Sequence, residues 1–170
     1  ILRHGGSPIM WKTGHSLIKA KMKETHAELA GEMSGHFFFA ERWFGFDDGI
    51  YAAARLLEIL AAAPEGIQAV FDELPKSFST PELKIELQEG EQHTFIEEFL
   101  SKAIFDGARI NTIDGLRADW PTGWGLVRAS NTTPVLVLRF EAENQKELIE
   151  IQRQFKEQML SVRDDLQFPF

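Results

Sequence analysis

The chain has 170 residues, 44% hydrophobic and 26% charged, which is ordinary globular composition with enough apolar side chain for one substantial core or two small ones. It has no cysteine, which excludes a disulfide scaffold and thiolate metal sites, and it shows neither a signal-peptide pattern nor an apolar run long enough to cross a bilayer, so a cytoplasmic location without membrane attachment is expected. Eighteen basic residues against twenty-six acidic ones give a formal charge of −8, so there is no basic stripe for nucleic acid and an anionic ligand must be held by local positive groups.

The chain begins at Ile1 rather than methionine, directly inside Leu2-Arg3-His4-Gly5-Gly6-Ser7-Pro8, and on that ground reads as a piece of a longer polypeptide. Pro8-Ile9-Met10-Trp11 predicts a short strand and Thr13-Gly14 a turn. A helix comes next over His15–Thr25, with Leu17, Ile18 and Met22 at helical spacing, so the opening is an α/β unit. Ala27 to Ala30 leads into a first polar loop, and Phe37 to Ala40 reads as another strand. Asp47 or Asp48 is the expected N-cap of a helix that runs to about Ala62 and gathers Ile50, Ala53, Ala54, Leu57 and Leu60 on one face. Pro64 to Leu74 suits one more short helix. Residues 75–81 are bracketed by prolines and rich in hydroxyls, which marks a boundary.

Beyond Pro81 the period changes. Leu83, Ile85 and Leu87 alternate with Lys84 and Glu86 as in a half-buried strand, and the next helix presents Phe95, Ile96, Phe99, Leu100 and Ala103. Strands are then predicted at 110–113, 116–120, 125–129 and 135–140, separated by Asp114-Gly115, by Pro121-Thr122-Gly123 and by a second polar loop. The closing helix has Asn144 as cap with Glu147 three residues on, and should bury Leu148, Ile151, Phe155 and Met159. The expected fold is an α/β partial domain over 1–75, a linker over 76–81, and over 82–170 an α+β domain with a mostly antiparallel sheet flanked by helices.

Two loops carry the chemistry. Gly31-Glu32-Met33-Ser34-Gly35-His36 sets a carboxylate, a hydroxyl and an imidazole between glycines, so backbone can approach a polyhydroxyl ligand while Glu32 accepts from two neighbouring hydroxyls. Arg128-Ala129-Ser130-Asn131-Thr132-Thr133-Pro134 offers a guanidinium, hydroxyls, an amide and backbone N–H donors, the groups that phosphate oxygens need. Together they can hold a phosphorylated sugar. Each loop alone also reads as a polar turn between regular elements. Asp47-Asp48 suggests a helix cap before it suggests a metal site, His4, His26 and His93 lack ligand spacing, and the four tryptophans are expected in packing, with Trp43 and Trp124 the candidates for stacking on a sugar.

With their flanks, Glu41-Arg42-Trp43-Phe44-Gly45-Phe46-Asp47-Asp48-Gly49 and Gly123-Trp124-Gly125-Leu126-Val127, these loops closely resemble the bacterial phosphomannomutase/phosphoglucomutase members of the α-D-phosphohexomutases. The resemblance covers essentially the whole chain and implies the end of the third domain and all of the fourth domain of a four-domain isomerase. It implies an intramolecular phosphotransferase acting on glucose and mannose 1- and 6-phosphates through a bisphosphorylated sugar, with glucose 1,6-bisphosphate as activator or intermediate. The resemblance implies that the phosphoserine nucleophile and the Mg²⁺ loop of such a phosphoprotein lie in earlier domains, and neither motif occurs in this sequence; this chain alone should be inactive. At named positions the resemblance implies substrate contacts from Gly14 and His15, from Glu32, Met33, Ser34, Gly35 and His36, and from Arg128, Ala129, Ser130, Asn131 and Thr132. His36 is also a candidate acid/base group. The alternatives are a non-catalytic sugar-phosphate-binding module and, within the class, a phosphoglucosamine mutase, which has Gln where this chain has Met33.

Overall fold

The computed structural model describes all 170 residues apart from the side chain of Arg3. It separates into two units, Ile1–Pro75 and Lys76–Phe170.

In the first unit a short 3-10 turn at Leu2–His4 precedes helix α1 (His15–Thr25), which buries Ile18 and Met22 and leaves Leu17 exposed. Strands β1 (Leu29–Gly31) and β2 (Phe37–Phe39) pair antiparallel, with Leu29 opposite Phe39 and Gly31 opposite Phe37. Phe38 points from this ribbon onto Ile18 and Met22, and those three side chains are the unit's buried core. Helices α2 (Gly49–Ala61) and α3 (Ile67–Asp72) complete it.

One expectation is corrected here. Residues 8–11 form no strand: a strand exists through its ladder, and this segment pairs with neither β1 nor β2, leaving Ile9 and Met10 exposed. The apolar face of α2 stays largely exposed, Ile50 at 87% and Leu57 at 65%, with Leu60 half-buried.

The second unit is built on a six-stranded antiparallel sheet in the order β3 (Phe78–Ser79), β8 (Val135–Ala142), β7 (Gly123–Ala129), β6 (Leu116–Trp120), β5 (Arg109–Asn111), with β4 (Leu83–Glu86) also paired to β8. Helices α4 (Glu91–Lys102) and α5 (Gln145–Val162) pack against each other and against β7. The predicted α5 face is buried, and Asn144 caps the helix by accepting from Glu147 N at 3.0 Å. Gly125 has no side chain because Phe155 lies on it: a Cβ there would come within 2.4 Å of the ring.

Within the stretch 76–81, expected as a linker, residues 78–80 are bound into this sheet. Phe78 pairs with Ala142 and Ser79 with Glu141. Pro81 brings no N–H to the edge, and on either side of it β3 and β4 take up successive parts of β8. Thr80 joins the two pieces: its N–H donates to Phe140 O at 3.0 Å, and its hydroxyl accepts from Phe140 N at 3.1 Å.

Candidate functional site

The first loop closes the β1–β2 hairpin. Glu32 N donates to His36 O at 2.9 Å and Gly35 N to Glu32 O at 3.0 Å, so Met33, Ser34 and Gly35 form a three-residue connection. Gly35 sits at φ 92°, the left-handed geometry that such a connection requires at its last position. Met33, Ser34 and His36 are therefore presented to solvent at the tip.

Glu32 turns toward the chain instead. Its Oε1 accepts from Gly14 N at 2.7 Å, which ties the loop to the start of α1 across eighteen residues of sequence. Gly14 has φ 131°, ψ 122°, a conformation that L side chains rarely adopt, and this aims its N–H at the carboxylate. His15, the first residue of α1, stands next to that contact, its Nδ1 within 3.4 Å of Ser16 Oγ. The candidates Gly14, His15 and 32–36 thus converge from two separate stretches of the chain.

His36 has a partner that sequence reasoning missed. Its Nδ1 lies 2.5 Å from Asp47 Oδ2. Asp47 is bridged to Phe38 on β2, while its neighbour Asp48 caps α2, accepting Tyr51 N at 2.9 Å and Trp43 Nε1 at 3.2 Å. Of the two adjacent aspartates one is a cap and the other an imidazole acceptor, a division that a helix-start pattern cannot reveal because either residue fits the cap. Trp43 stacks on Tyr51 at 4.3 Å between centroids, so one of its faces is already occupied.

Behind the loop, Arg42 and Arg55 bind Glu41 and Glu58 at 2.7 to 3.0 Å. The guanidiniums of Arg55 and Arg42 hold the Glu41 carboxyl below its ordinary range, and Arg42 does the same for Glu58. This network joins the segment after β2 to α2.

The second loop connects β7 to β8. Ser130 N donates to Val135 O at 3.0 Å, and the Ser130 hydroxyl accepts from Thr132 N at 3.3 Å and Thr133 N at 3.2 Å. Ser130 is 7% exposed, so it is the organiser of the turn, and the exposed surface comes from Asn131, Thr132 and Thr133. Arg128 stands at the foot of the loop on the sheet face opposite the helices, since Gly125 and Val127 take the core side. Its guanidinium donates to Ala129 O at 3.3 Å and has no carboxylate partner among the described residues. Gly115, at φ 77°, leaves room for this strand: a Cβ there would fall 2.2 Å from Val127 O and 2.7 Å from Arg128 Cβ. Trp124, on the same face as Arg128, is covered by the Arg117 guanidinium at 3.9 Å.

Among the described residues, no three His, Asp or Glu side chains converge as metal ligands. A groove of about 590 Å³ between the start of α4 and the end of α5, lined in part by Glu89, Glu91, Glu98 and Arg163, contains none of the candidate residues.

Two family models match this chain and overlap over residues 54–78. Residues 1–78 match the family model for phosphoglucomutase/phosphomannomutase, alpha/beta/alpha domain III, and residues 54–158 the one for the phosphoglucomutase/phosphomannomutase C-terminal domain. A curated phosphomannomutase/phosphoglucomutase of Pseudomonas syringae pv. tomato is 58% identical over 170 residues, all of this chain and 37% of the relative. A phosphoglucomutase of Neisseria gonorrhoeae is 62% identical over 158 residues, 92% of this chain and 34% of the relative. The crystal structure of a phosphoglucomutase/phosphomannomutase family protein from Burkholderia thailandensis matches with a TM-score of 0.91 and 50% identity, over 99% of this chain and 36% of that one. The chain spans little more than a third of the length of these relatives.

Proposed function

The chain belongs to the phosphoglucomutase/phosphomannomutase family, and from that premise we propose that it is the substrate-binding C-terminal portion of a phosphohexomutase, made of the end of a third domain and a complete fourth. The whole enzyme interconverts hexose 1- and 6-phosphates of glucose and mannose through a bisphosphorylated sugar such as glucose 1,6-bisphosphate. Its phosphoserine and its Mg²⁺ belong to earlier domains of the same polypeptide; among the described residues no three His, Asp or Glu side chains converge to hold a metal, and no step is routed through one here. It works in the cytoplasm.

The observation that carries this reading is the 2.7 Å bond from Gly14 N to Glu32. It gathers the two candidate sugar-reading segments into one patch and leaves Oε2 of Glu32 to accept from a ligand hydroxyl. The exposed α2 face supports the same reading, because an apolar helix face of this kind suits further residues of a larger α/β domain. In the second unit Arg128 supplies the charge and the turn organised by Ser130 the neutral donors for a phosphate. One charge-assisted bond is worth about 1.5 to 3 kcal/mol and each neutral one about 1 kcal/mol, enough to position a ligand weakly.

NMR titration of this chain with glucose 1-phosphate and mannose 1-phosphate tests the proposal. Amide shifts are expected in both loops at millimolar ligand, with no turnover, and Arg128→Ala should weaken binding about tenfold or more while leaving the fold intact. Silence in both loops, or equal affinity in Arg128→Ala, would overturn it.

A further inference from the structure

The bond between His36 Nδ1 and Asp47 Oδ2 joins a candidate ligand-contacting side chain to a residue with no other assigned task. Asp47 is fixed from two directions. Its backbone is bridged to Phe38 in β2, and the next residue donates Asp48 N to Phe37 O at 3.3 Å while its side chain caps α2. The carboxylate is thus placed by the hairpin on one side and the helix start on the other, independent of any ligand. An ionised carboxylate only accepts hydrogen bonds, so the proton between the two groups sits on Nδ1. In a neutral imidazole the other nitrogen, Nε2, then carries a lone pair, and among the described residues nothing in the protein bonds to it.

We propose that Asp47 is a positioning residue for His36: it holds the imidazole as the Nδ1–H tautomer with Nε2 turned outward as an acceptor. The role of Nε2 rests on the proposed function. Set on the same hairpin tip as Glu32 and Ser34, it takes the proton of a sugar hydroxyl: the O–H bond breaks, its electron pair stays on oxygen, and an Nε2–H bond forms. The resulting imidazolium keeps its Nδ1–H bond to Asp47, whose negative charge offsets the new positive one, and the reverse transfer restores the starting tautomer. Without Asp47 the ring is free to rotate and to adopt the Nε2–H form, which has no lone pair to offer at that position.

The tautomer is a property of the ligand-free chain, so its test is separate from that of sugar binding. Long-range ¹H–¹⁵N spectra of the imidazole nitrogens distinguish the two forms directly. The wild-type chain at neutral-imidazole pH should show His36 with Nδ1 protonated and Nε2 bare, and Asp47→Ala should reverse the majority form. A wild-type His36 that is mainly Nε2–H, or one whose tautomer is the same in Asp47→Ala, would overturn the proposal. Should Asp47→Ala unfold the first unit, the wild-type spectrum alone still decides.

Discussion

The two units contain similar helices and use them in opposite ways. In the second, α5 buries Leu148, Ile151, Phe155 and Met159 within a core of seventeen residues; in the first, α2 has an equally apolar face, yet only Ile18, Met22 and Phe38 form a buried cluster. The first unit is held instead by polar latches: Glu32 on Gly14, Asp47 on His36, the Asp48 cap, and the pairing of Arg42 and Arg55 with Glu41 and Glu58. Helical periodicity therefore identifies the face a helix would bury without saying whether anything covers it. Packing sets the stability of one unit, and hydrogen-bond geometry sets the shape of the other.

The strongest way to sharpen this contrast is to damage the core. Phe155 is fully buried and contacts Phe99, Phe105 and Phe140, so Phe155→Ala should cost the second unit about 3–5 kcal/mol. Urea unfolding monitored through β7 and β8 amides would measure it. A loss below about 1 kcal/mol would mean that the core is not what separates the units.

Ser130→Ala comes next. It removes the acceptor for Thr132 N and Thr133 N at a nearly buried position, a cost of about 1–3 kcal/mol. The effect should stay local, with large shifts and faster amide exchange at 131–133 and little change in α5. Uniform destabilisation of the sheet would instead make Ser130 a core residue rather than a loop organiser.

Smaller still is Asp48→Ala in the first unit, which deletes the α2 cap and should cost about 1 kcal/mol, read as fraying at Tyr51 and Ala52 by amide exchange. With so little packing behind it, α2 should lose order over several residues. Removal of the Asn144 cap, by the same logic, should leave α5 intact because its buried face holds it in place.

Much of this was legible in the sequence because it is local. The α1 boundaries, the β6 limits, the Asn144 cap and the four buried α5 positions all come from propensity and period within a dozen residues. The features that escaped depended on partners distant in the chain. Pro8–Trp11 has strand-like residues and no strand to pair with. Phe78-Ser79 looks like linker and is captured by Ala142 and Glu141 of β8, far along the chain. Glu32, His36 and Arg128 are candidates by residue type and loop position alone, whereas the inward turn of Ser130 follows from how the β7–β8 loop closes and the His36–Asp47 bond from how a hairpin end and a helix start meet, which no spacing encodes.

The gentlest probe of the contrast is acid. Glu41 and Glu58 have folded-state values below the ordinary 4.5, caused by Arg55 and Arg42 in one case and by Arg42 in the other. A carboxylate lowered on folding contributes stability that is fully present above its unfolded value and disappears as pH falls through the folded one. Both units have such groups: in the second, Arg153 holds Glu150 down to about 2, and Arg163 lowers Glu91 and Asp165. These pairs are exposed and individually weak, so the consequence of protonating them depends on the packing behind them. In the first unit the network ties α2 to the segment after β2, with almost no core beneath, so its amides should lose dispersion as pH falls below 4.5. The second unit should keep its own, since protonating Glu150 leaves the α5 core intact. Raising the salt concentration should move the first unit's transition to higher pH, because screening weakens exposed pairs before it touches packing. Loss of the second unit first would invert the comparison and make charge, rather than core, the basis of its stability.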